Sequence, residues 1–285
     1  MADEAVYPSL AGRTVLVTGG ASGIGASIVE HFCHQGARVS FFDIKADSAA
    51  ALIETMKVAN LPAPRFVPCD LRDVATLQAA VASVEAADGP VAVLVNNAAS
   101  DDRHRIEDVS AAYWDERIAT NLRHQFFAAQ AVIPGMKRLG GGTIINFGSM
   151  TWHVSEGGYP VYATCKAAIE GLTRSLARDL GSLRIRVNTL IPGWVMTERQ
   201  MALWLDAEGE AEIQRRQCLK DKVQPADIAR MVLFLAADDS DGMTGQHILV
   251  DAVGEEVIFL VRAHVGERQD GDGLSHRRGR RWSGR

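Results

Sequence analysis

Apolar residues along this chain fall into two kinds of segment, which alternate from near its start to residue 250. One kind is a short continuous apolar run, as expected of strands that are buried on both faces of a sheet. Such runs predict strands at residues 14–17, 39–44, 66–69, 91–95, 143–147, 185–190 and 247–250. The other kind has apolar positions three and four apart, as on one face of a helix. These segments predict helices at residues 24–32, 48–58, 74–87, 111–136, 161–180 and 226–235.

The order of these segments predicts the fold class. Strands that alternate with helices form a parallel sheet with helices on both faces, which is a doubly wound α/β fold of Rossmann type. No internal repeat and no linker divides the chain, so we expect a single domain over residues 1–253. Residues 254–285 are rich in Gly, Asp and Arg, and this composition predicts a disordered extension. The alternatives are a tail for an anionic partner and an altered reading frame at the end of the gene.

Composition narrows the classes of function. The chain has 285 residues, of which 47% are hydrophobic, and a formal net charge of −5, so nothing in the main part of the chain favours nucleic acid. No apolar run approaches the roughly 18 residues that span a membrane, and the acidic first residues do not resemble a signal peptide. We therefore expect a cytoplasmic protein. The cysteines are scattered, which predicts reduced thiols and no metal site: Cys33, Cys69, Cys165 and Cys218.

A glycine-rich turn lies between the first predicted strand and the first predicted helix. Glycines let a pyrophosphate approach the main chain, and the helix N-terminus offers it free N–H groups. The predicted contacts are Gly19, Ser22, Gly23, Ile24 and Gly25. Asp43 ends the second strand, where a carboxylate binds the adenosine ribose and repels a 2′-phosphate. This arrangement favours NAD over NADP, although Lys45 is a mild signal for the latter.

A second cluster of residues suggests acid/base chemistry. Tyr162 and Lys166 are four residues apart on a predicted helix, so their side chains share one face. A nearby cation stabilises a phenolate and lowers its pKa, which makes the pair a candidate general acid/base. Tyr159 is the rival tyrosine, but the fourth residue after it is Ala163. Ser149 ends the preceding strand, where its hydroxyl can reach the reacting oxygen.

Together these motifs resemble those of the short-chain dehydrogenase/reductase family over about residues 10–251. The residues that carry the resemblance are the turn 18–25, the segment 96–99, Asn121, Ser149, Tyr162, Lys166, Pro192 and Gly193. The resemblance implies a seven-stranded parallel sheet and a homotetramer. It also implies catalytic roles: Tyr162 takes the hydroxyl proton, Lys166 binds the nicotinamide ribose, Ser149 orients the substrate, and Asn121 holds a water.

The resemblance further implies cofactor contacts along the chain. Asp70 and Leu71 contact adenine, Asn97 and Ala98 line the cleft, and a later segment closes over the nicotinamide: Pro192, Gly193, Val195 and Thr197. Tyr162 and Lys166 also contact the cofactor. Ala99 departs from the family pattern, which usually has Gly there. We expect this extra methyl group to be tolerated, and Asn96 to bridge neighbouring strands.

Several stretches resemble the bacterial sugar dehydrogenases of this family, above all those acting on D-xylose or L-arabinose at C1: residues 7–10, 101–104, 113–117, 121–124, 148–153 and 218–220. The implied reaction is oxidation of an aldose to its lactone. Candidate substrate contacts are Trp152, His153 and Trp194, together with Ser149, and packing or loop roles are the alternative for the first three. Arg103 and His104 are interpreted as surface residues that hold a loop.

Two other functions remain open at this point. A dehydrogenase or reductase of the same family could act on another secondary alcohol or ketone, and apolar residues such as Met196, Met201, Leu203 and Trp204 keep that possibility open. A catalytically silent NAD-binding sensor is a minor alternative. It would be expected to lack the catalytic side chains, which are all present here.

Overall fold

Seven parallel strands form one sheet in the computed structural model, which describes residues 5–155 and 157–252. Their order across the sheet is β3-β2-β1-β4-β5-β6-β7. The bounds are Thr14–Thr18 (β1), Arg38–Asp43 (β2), Arg65–Pro68 (β3), Val93–Asn96 (β4), Gly142–Phe147 (β5), Ile185–Pro192 (β6) and His247–Val250 (β7). The predicted doubly wound, seven-stranded fold is therefore confirmed.

Nine α-helices connect or cover these strands in the described part of the chain. They are Gly23–His34 (α1), Ala46–Val58 (α2), Val74–Asp88 (α3), Ala111–Ile118 (α4), His124–Leu139 (α5), Pro160–Leu180 (α6), Glu198–Leu203 (α7), Ala207–Arg216 (α8) and Pro225–Ala236 (α9). The single helix predicted over residues 111–136 is interrupted by the π-helical segment Ala119–Arg123. No described helix is long and apolar enough to cross a membrane.

Two hydrophobic layers cover the sheet because successive side chains of a strand point to opposite faces. Val15 and Val17 of β1 belong to the layer shared with α1 and α9, whereas Leu16 belongs to the layer shared with α3 and α5. All five residues of β1 are buried, which explains its continuous apolar run. Full burial of each Val or Leu side chain of β1 stabilises the fold by about 1.5–3 kcal/mol.

The strand order reverses between β1 and β4, and this reversal positions the site. Crossovers leave β1 in opposite directions there, so a crevice opens at the carboxyl ends of the two strands. The glycine-rich turn follows β1, and the segment beginning at Asn97 follows β4. The predicted extension at residues 254–285 lies outside the described residues.

Candidate active site

The glycine-rich turn brings the main chain unusually close to the segment after β4. Gly19 has a positive φ of 67°, and a Cβ there would lie 2.8 Å from the Cα of Ala98. A Cβ on Gly25 would lie 1.9 Å from the carbonyl oxygen of Gly19. Ser22 precedes α1 and makes no capping bond with its side chain. The N-terminus of α1 therefore presents N–H groups to the crevice, as a pyrophosphate requires.

Asp43 is held beside this turn by three main-chain N–H groups. Its Oδ2 accepts from the nitrogen of Ala21 at 3.0 Å. Its Oδ1 accepts from the nitrogens of Ile44 at 2.8 Å and Lys45 at 3.0 Å. The carboxylate is thus fixed at the end of β2, where the sequence predicts a residue that binds the adenosine ribose.

The segment after β4 forms the opposite wall. The side-chain amide of Asn97 donates to the carbonyl oxygens of Thr18 at 3.1 Å and Gly19 at 3.0 Å. His124 contacts the carbonyl oxygen of Ala98 through Nε2 at 3.1 Å, and burial lowers its pKa to about 3, so its ring stays neutral. The backbone of Ala99 is not left-handed, so its methyl group brings no backbone strain.

Asn96 lies deeper and has a structural role. Its side-chain amide donates to Asn146 Oδ1 at 3.0 Å and thereby links β4 to β5. This bond agrees with the bridge expected from the sequence.

One cleft of about 1060 Å³ joins the turn, Asp43 and the catalytic candidates. Most of the predicted cofactor residues line it: Gly19, Ser22, Ile24, Gly25, Asp43, Asp70, Leu71, Asn97, Ala98, Tyr162, Lys166, Pro192, Gly193, Val195 and Thr197. Gly23 and Asn121 are not among the lining residues. Gly23 still contributes to the turn, because its φ of 56° suits glycine and Thr197 packs over it.

Tyr162, Ser149 and Lys166 meet at the other end of this cleft. The Tyr162 hydroxyl and the Ser149 hydroxyl share a hydrogen bond, which acts to lower the pKa of the phenol. Lys166 Nζ lies 5.5 Å from the centre of the Tyr162 ring and donates to the carbonyl oxygen of Phe147 at 2.8 Å. Its burial lowers the pKa of Lys166 to about 8. The three side chains predicted to be catalytic therefore lie together at one end of the cleft.

The acidity of Tyr162 differs from the expectation. Burial raises the pKa of Tyr162 above its ordinary value, and the negative charge of Asp101 raises it further. Desolvation disfavours the phenolate more strongly than its neighbours favour it. Nearby positive charge, such as that of Lys166, therefore has to offset this effect for Tyr162 to act as a base.

Asn121 lies in the π-helical segment between α4 and α5. Its Oδ1 accepts from the main-chain nitrogen of Ser100 at 2.7 Å, and its buried Nδ2 has no hydrogen-bond partner among the described residues. A buried polar group in this condition usually binds water. That arrangement fits the predicted water, which stays a prediction.

Two of the three aromatic residues predicted to contact substrate lie elsewhere. Trp152 Nε1 and His153 Nε2 both contact Glu170 Oε1, at 3.0 and 2.8 Å, and neither residue lines the cleft. The other oxygen of Glu170 lies 2.8 Å from His247 Nδ1 on β7. Buried Glu170 attracts these polar groups, so Trp152 and His153 anchor a loop, and the structure does not bring them into the cleft with Ser149. Trp194 does line the cleft.

Three polar residues around Trp194 were not predicted from the sequence. Asp101, Arg199 and Gln200 line the cleft there, and the Asp101 carboxylate accepts hydrogen bonds from both of the others. Arg103, which the sequence suggested was a surface residue, places its guanidinium 4.6 Å from the Tyr159 ring and 4.7 Å from that of Trp204. The signal in the sequence was the run of charged residues at 101–103, which five residues separate from the strand predicted at 91–95.

His104 does hold its loop, as the sequence suggested. Its Nδ1 lies 2.9 Å from the Tyr113 hydroxyl, and its main-chain nitrogen donates to the carbonyl oxygen of Gly158 at 2.8 Å. The first bond ties the loop to α4, and the second ties it to the segment that precedes α6.

Known proteins resemble this chain in sequence. The sequence family described as Enoyl-(Acyl carrier protein) reductase matches residues 19–252. A D-xylose 1-dehydrogenase of Caulobacter vibrioides (strain NA1000 / CB15N) is 49% identical over 249 residues, which are 87% of this chain and 98% of that protein. The probable galactose dehydrogenase of Rhizobium meliloti (strain 1021) is 50% identical over 245 residues, 86% of this chain and 96% of that protein.

Solved structures show the same likeness. A short-chain type dehydrogenase/reductase from Mycobacterium ulcerans superposes with a TM-score of 0.81 at 28% identity, over 86% of this chain and 90% of that one. A blue fluorescent protein from a metagenomic library, in complex with NADPH, has a TM-score of 0.78 at 34% identity, over 86% of this chain and 98% of that one.

Proposed function

Because this chain belongs to the short-chain dehydrogenase/reductase family and is an oxidoreductase of that type, we propose that it oxidises an aldose at C1 with NAD. A pentose such as D-xylose or L-arabinose is the proposed substrate, and the lactone is the product. One observation carries the proposal: Tyr162, Ser149 and Lys166 meet at one end of a cleft whose other end holds the phosphate-binding turn and Asp43.

The proposed chemistry begins at the anomeric hydroxyl. Ser149 donates a hydrogen bond to the sugar oxygen and orients it toward Tyr162. Tyr162 Oη takes the hydroxyl proton as the C1–H hydride leaves, so that C1 and its oxygen become the lactone carbonyl. The Lys166 ammonium stabilises the phenolate by its charge, and Asn121 would hold a water on the path by which the proton reaches solvent.

The residues present fit a nicotinamide dinucleotide. When bound, it would supply the hydride acceptor and a positive charge that favours the phenolate form of Tyr162. The turn, with its close backbone approach at Gly19 and Gly25, leaves room for the pyrophosphate beside α1. Asp43 supports NAD, because its carboxylate would repel a 2′-phosphate. One relative of the same fold is bound to NADPH, so the proposal of NAD rests on Asp43 rather than on the fold.

The substrate end of the cleft supports a sugar over an apolar alcohol. Its wall carries charged and amide groups from Asp101, Arg199 and Gln200, which would be desolvated without compensation by a steroid or acyl chain. Sugar hydroxyls can satisfy such groups. Two relatives about half identical to this chain bear the names of sugar dehydrogenases, which supports the same substrate class.

The test is NADH formation by the purified full chain with NAD and a panel of aldoses and simple secondary alcohols. Tyr162→Phe should lower kcat by about 10²–10⁴-fold, the usual contribution of a general acid/base, while cofactor still binds. Tyr159→Phe is the matched control, since this tyrosine lines the same cleft but packs against Arg103 rather than Lys166, and it should keep most of the activity. Turnover confined to other alcohols would favour the alternative dehydrogenase, and binding without turnover would favour the sensor.

Assembly as a homotetramer and a cytoplasmic location are further proposals. The resemblance to the family supports the tetramer. Light scattering of the full chain tests it, and a single monomeric species would contradict it.

A further inference from the structure

A chain of polar contacts crosses the substrate end of the cleft. The side-chain amide of Gln200 on α7 donates to Asp101 Oδ2 at 2.7 Å, and its carbonyl oxygen accepts from Trp194 Nε1 at 3.0 Å. Arg199, also on α7, pairs with the Oδ1 of Asp101. Asp101 comes from the loop after β4, nearly a hundred residues earlier, so the contact is made by the fold. We call Asp101, Arg199, Gln200 and Trp194 the polar wall.

The polar wall faces the reaction centre. Its four residues line the same cleft as Ser149 and Tyr162. The charge of Asp101 raises the pKa of Tyr162, whereas the charge of Arg199 lowers it. Both charges therefore act on the Tyr162 hydroxyl across the cleft that they share with it.

The wall has hydrogen-bonding capacity beyond its own contacts. A carboxylate offers about four acceptor positions, and a primary amide nitrogen offers two donors. The bonds above use one position on each Asp101 oxygen and one donor of Gln200. The remaining acceptors and donor suit a hydroxyl, which both donates and accepts. The indole of Trp194 adds an apolar surface beside them, as expected where the C–H face of a sugar binds.

We infer that Asp101 and Gln200 are the specificity-determining pair of this enzyme, and that they bind a hydroxyl of the aldose other than the one at C1. Arg199 is a positioning residue, which holds the Asp101 carboxylate toward the cleft. The inference rests on the proposed function, because it assigns the residues that recognise the proposed substrate.

The experiment measures kcat and KM of the full chain for its preferred aldose and for the monodeoxy analogues of that sugar. Asp101→Ala and Gln200→Ala are the test variants, so that the result does not depend on one of them folding. Asp102→Ala is the matched control, since Asp102 also pairs with Arg199 but makes no bond to Gln200. Circular dichroism and cofactor titration verify that each variant is folded and binds the dinucleotide.

The expected result is a selective loss. The wild type should lose about 10- to 100-fold in kcat/KM for one deoxy analogue, as for a hydrogen bond to a charged group. Asp101→Ala should lose a similar factor with the parent sugar, mainly through KM, and nothing further with that analogue. Gln200→Ala should lose less, again only for the same hydroxyl. Asp102→Ala should change kcat/KM by less than about fivefold, because its ion pair with Arg199 is exposed and its other partner, Arg117, keeps an ion pair with Glu116.

Three outcomes would overturn the inference. If wild-type enzyme turns over sugars but Asp101→Ala still discriminates against the same deoxy analogue, the pair does not read that hydroxyl. If all sugars and analogues lose activity equally, the residues only shape the loop. If the wild type turns over no aldose, the proposed function fails first and the inference falls with it.

Discussion

We predict that Asp43 controls the choice between NAD and NADP through a hydrogen bond to the ribose, and Asp43→Asn tests this role. The substitution keeps the size of the side chain but removes its negative charge. Three of the roughly four acceptor positions of the carboxylate are taken by the main-chain nitrogens of Ala21, Ile44 and Lys45. One position on Oδ2 is therefore left for a ribose hydroxyl.

A hydrogen bond at that single position sets the expected loss of NAD affinity. A hydrogen bond to a charged group contributes about 1.5–3 kcal/mol, so the variant should bind NAD about 10- to 150-fold more weakly. Removing the charge also removes repulsion of a 2′-phosphate, which amounts to about 4 kcal/mol for unit charges 4 Å apart near a protein surface. The ratio of kcat/KM for NAD to that for NADP should thus fall by at least about tenfold.

Steady-state kinetics with both dinucleotides at saturating sugar provide the assay. Asp47→Asn on α2 is the matched control, because Asp47 is acidic and near in sequence but does not line the cleft. It should leave the ratio unchanged. An unchanged ratio in Asp43→Asn, or a wild type that already prefers NADP, would refute the reasoning.

Two further predictions concern the buried charges of α6. Glu170→Ala should lower the free energy of unfolding by about 3–5 kcal/mol, because Trp152, His153 and His247 lose their shared acceptor; urea denaturation measures this loss, and Glu170→Gln should lose less. Lys166 has a pKa lowered to about 8 from 10.5, so the unfolded chain binds more protons than the folded one between these values. The free energy of unfolding of the wild type should therefore rise, relative to Lys166→Met, by about 2–3 kcal/mol from pH 8 to 10, and parallel pH profiles would contradict this.

The features that could be predicted from the sequence are those encoded locally. The strand at β1 is a continuous apolar run, and the turn that follows it depends on glycines whose neighbours would collide with any Cβ. Tyr162 and Lys166 share a helix face at a spacing of four. Each of these signals lies within a few residues of chain, so a single sequence carries it without knowledge of tertiary contacts.

The features that could not be predicted depend on partners that are distant in sequence. Trp152 and His153 follow Ser149 closely, which suggested a place in the cleft, but Glu170 lies one turn beyond Lys166 on α6 and binds them instead. Helices α7 and α8 were not predicted, because they are short and bury almost nothing: α7 has no buried residue and α8 buries Ile213 alone.

The acidity of Tyr162 shows why the polar wall and the catalytic residues have to be considered together. A carboxylate suited to binding sugar hydroxyls lies close enough to oppose formation of the phenolate, since Asp101 raises the pKa of Tyr162. Arg199 pairs with that carboxylate and lowers the same pKa, so its charge offsets part of the effect. A pocket that used Asp101 alone would bind sugar at the expense of proton transfer. The ion pair lets the wall remain polar while limiting the net charge that Tyr162 experiences.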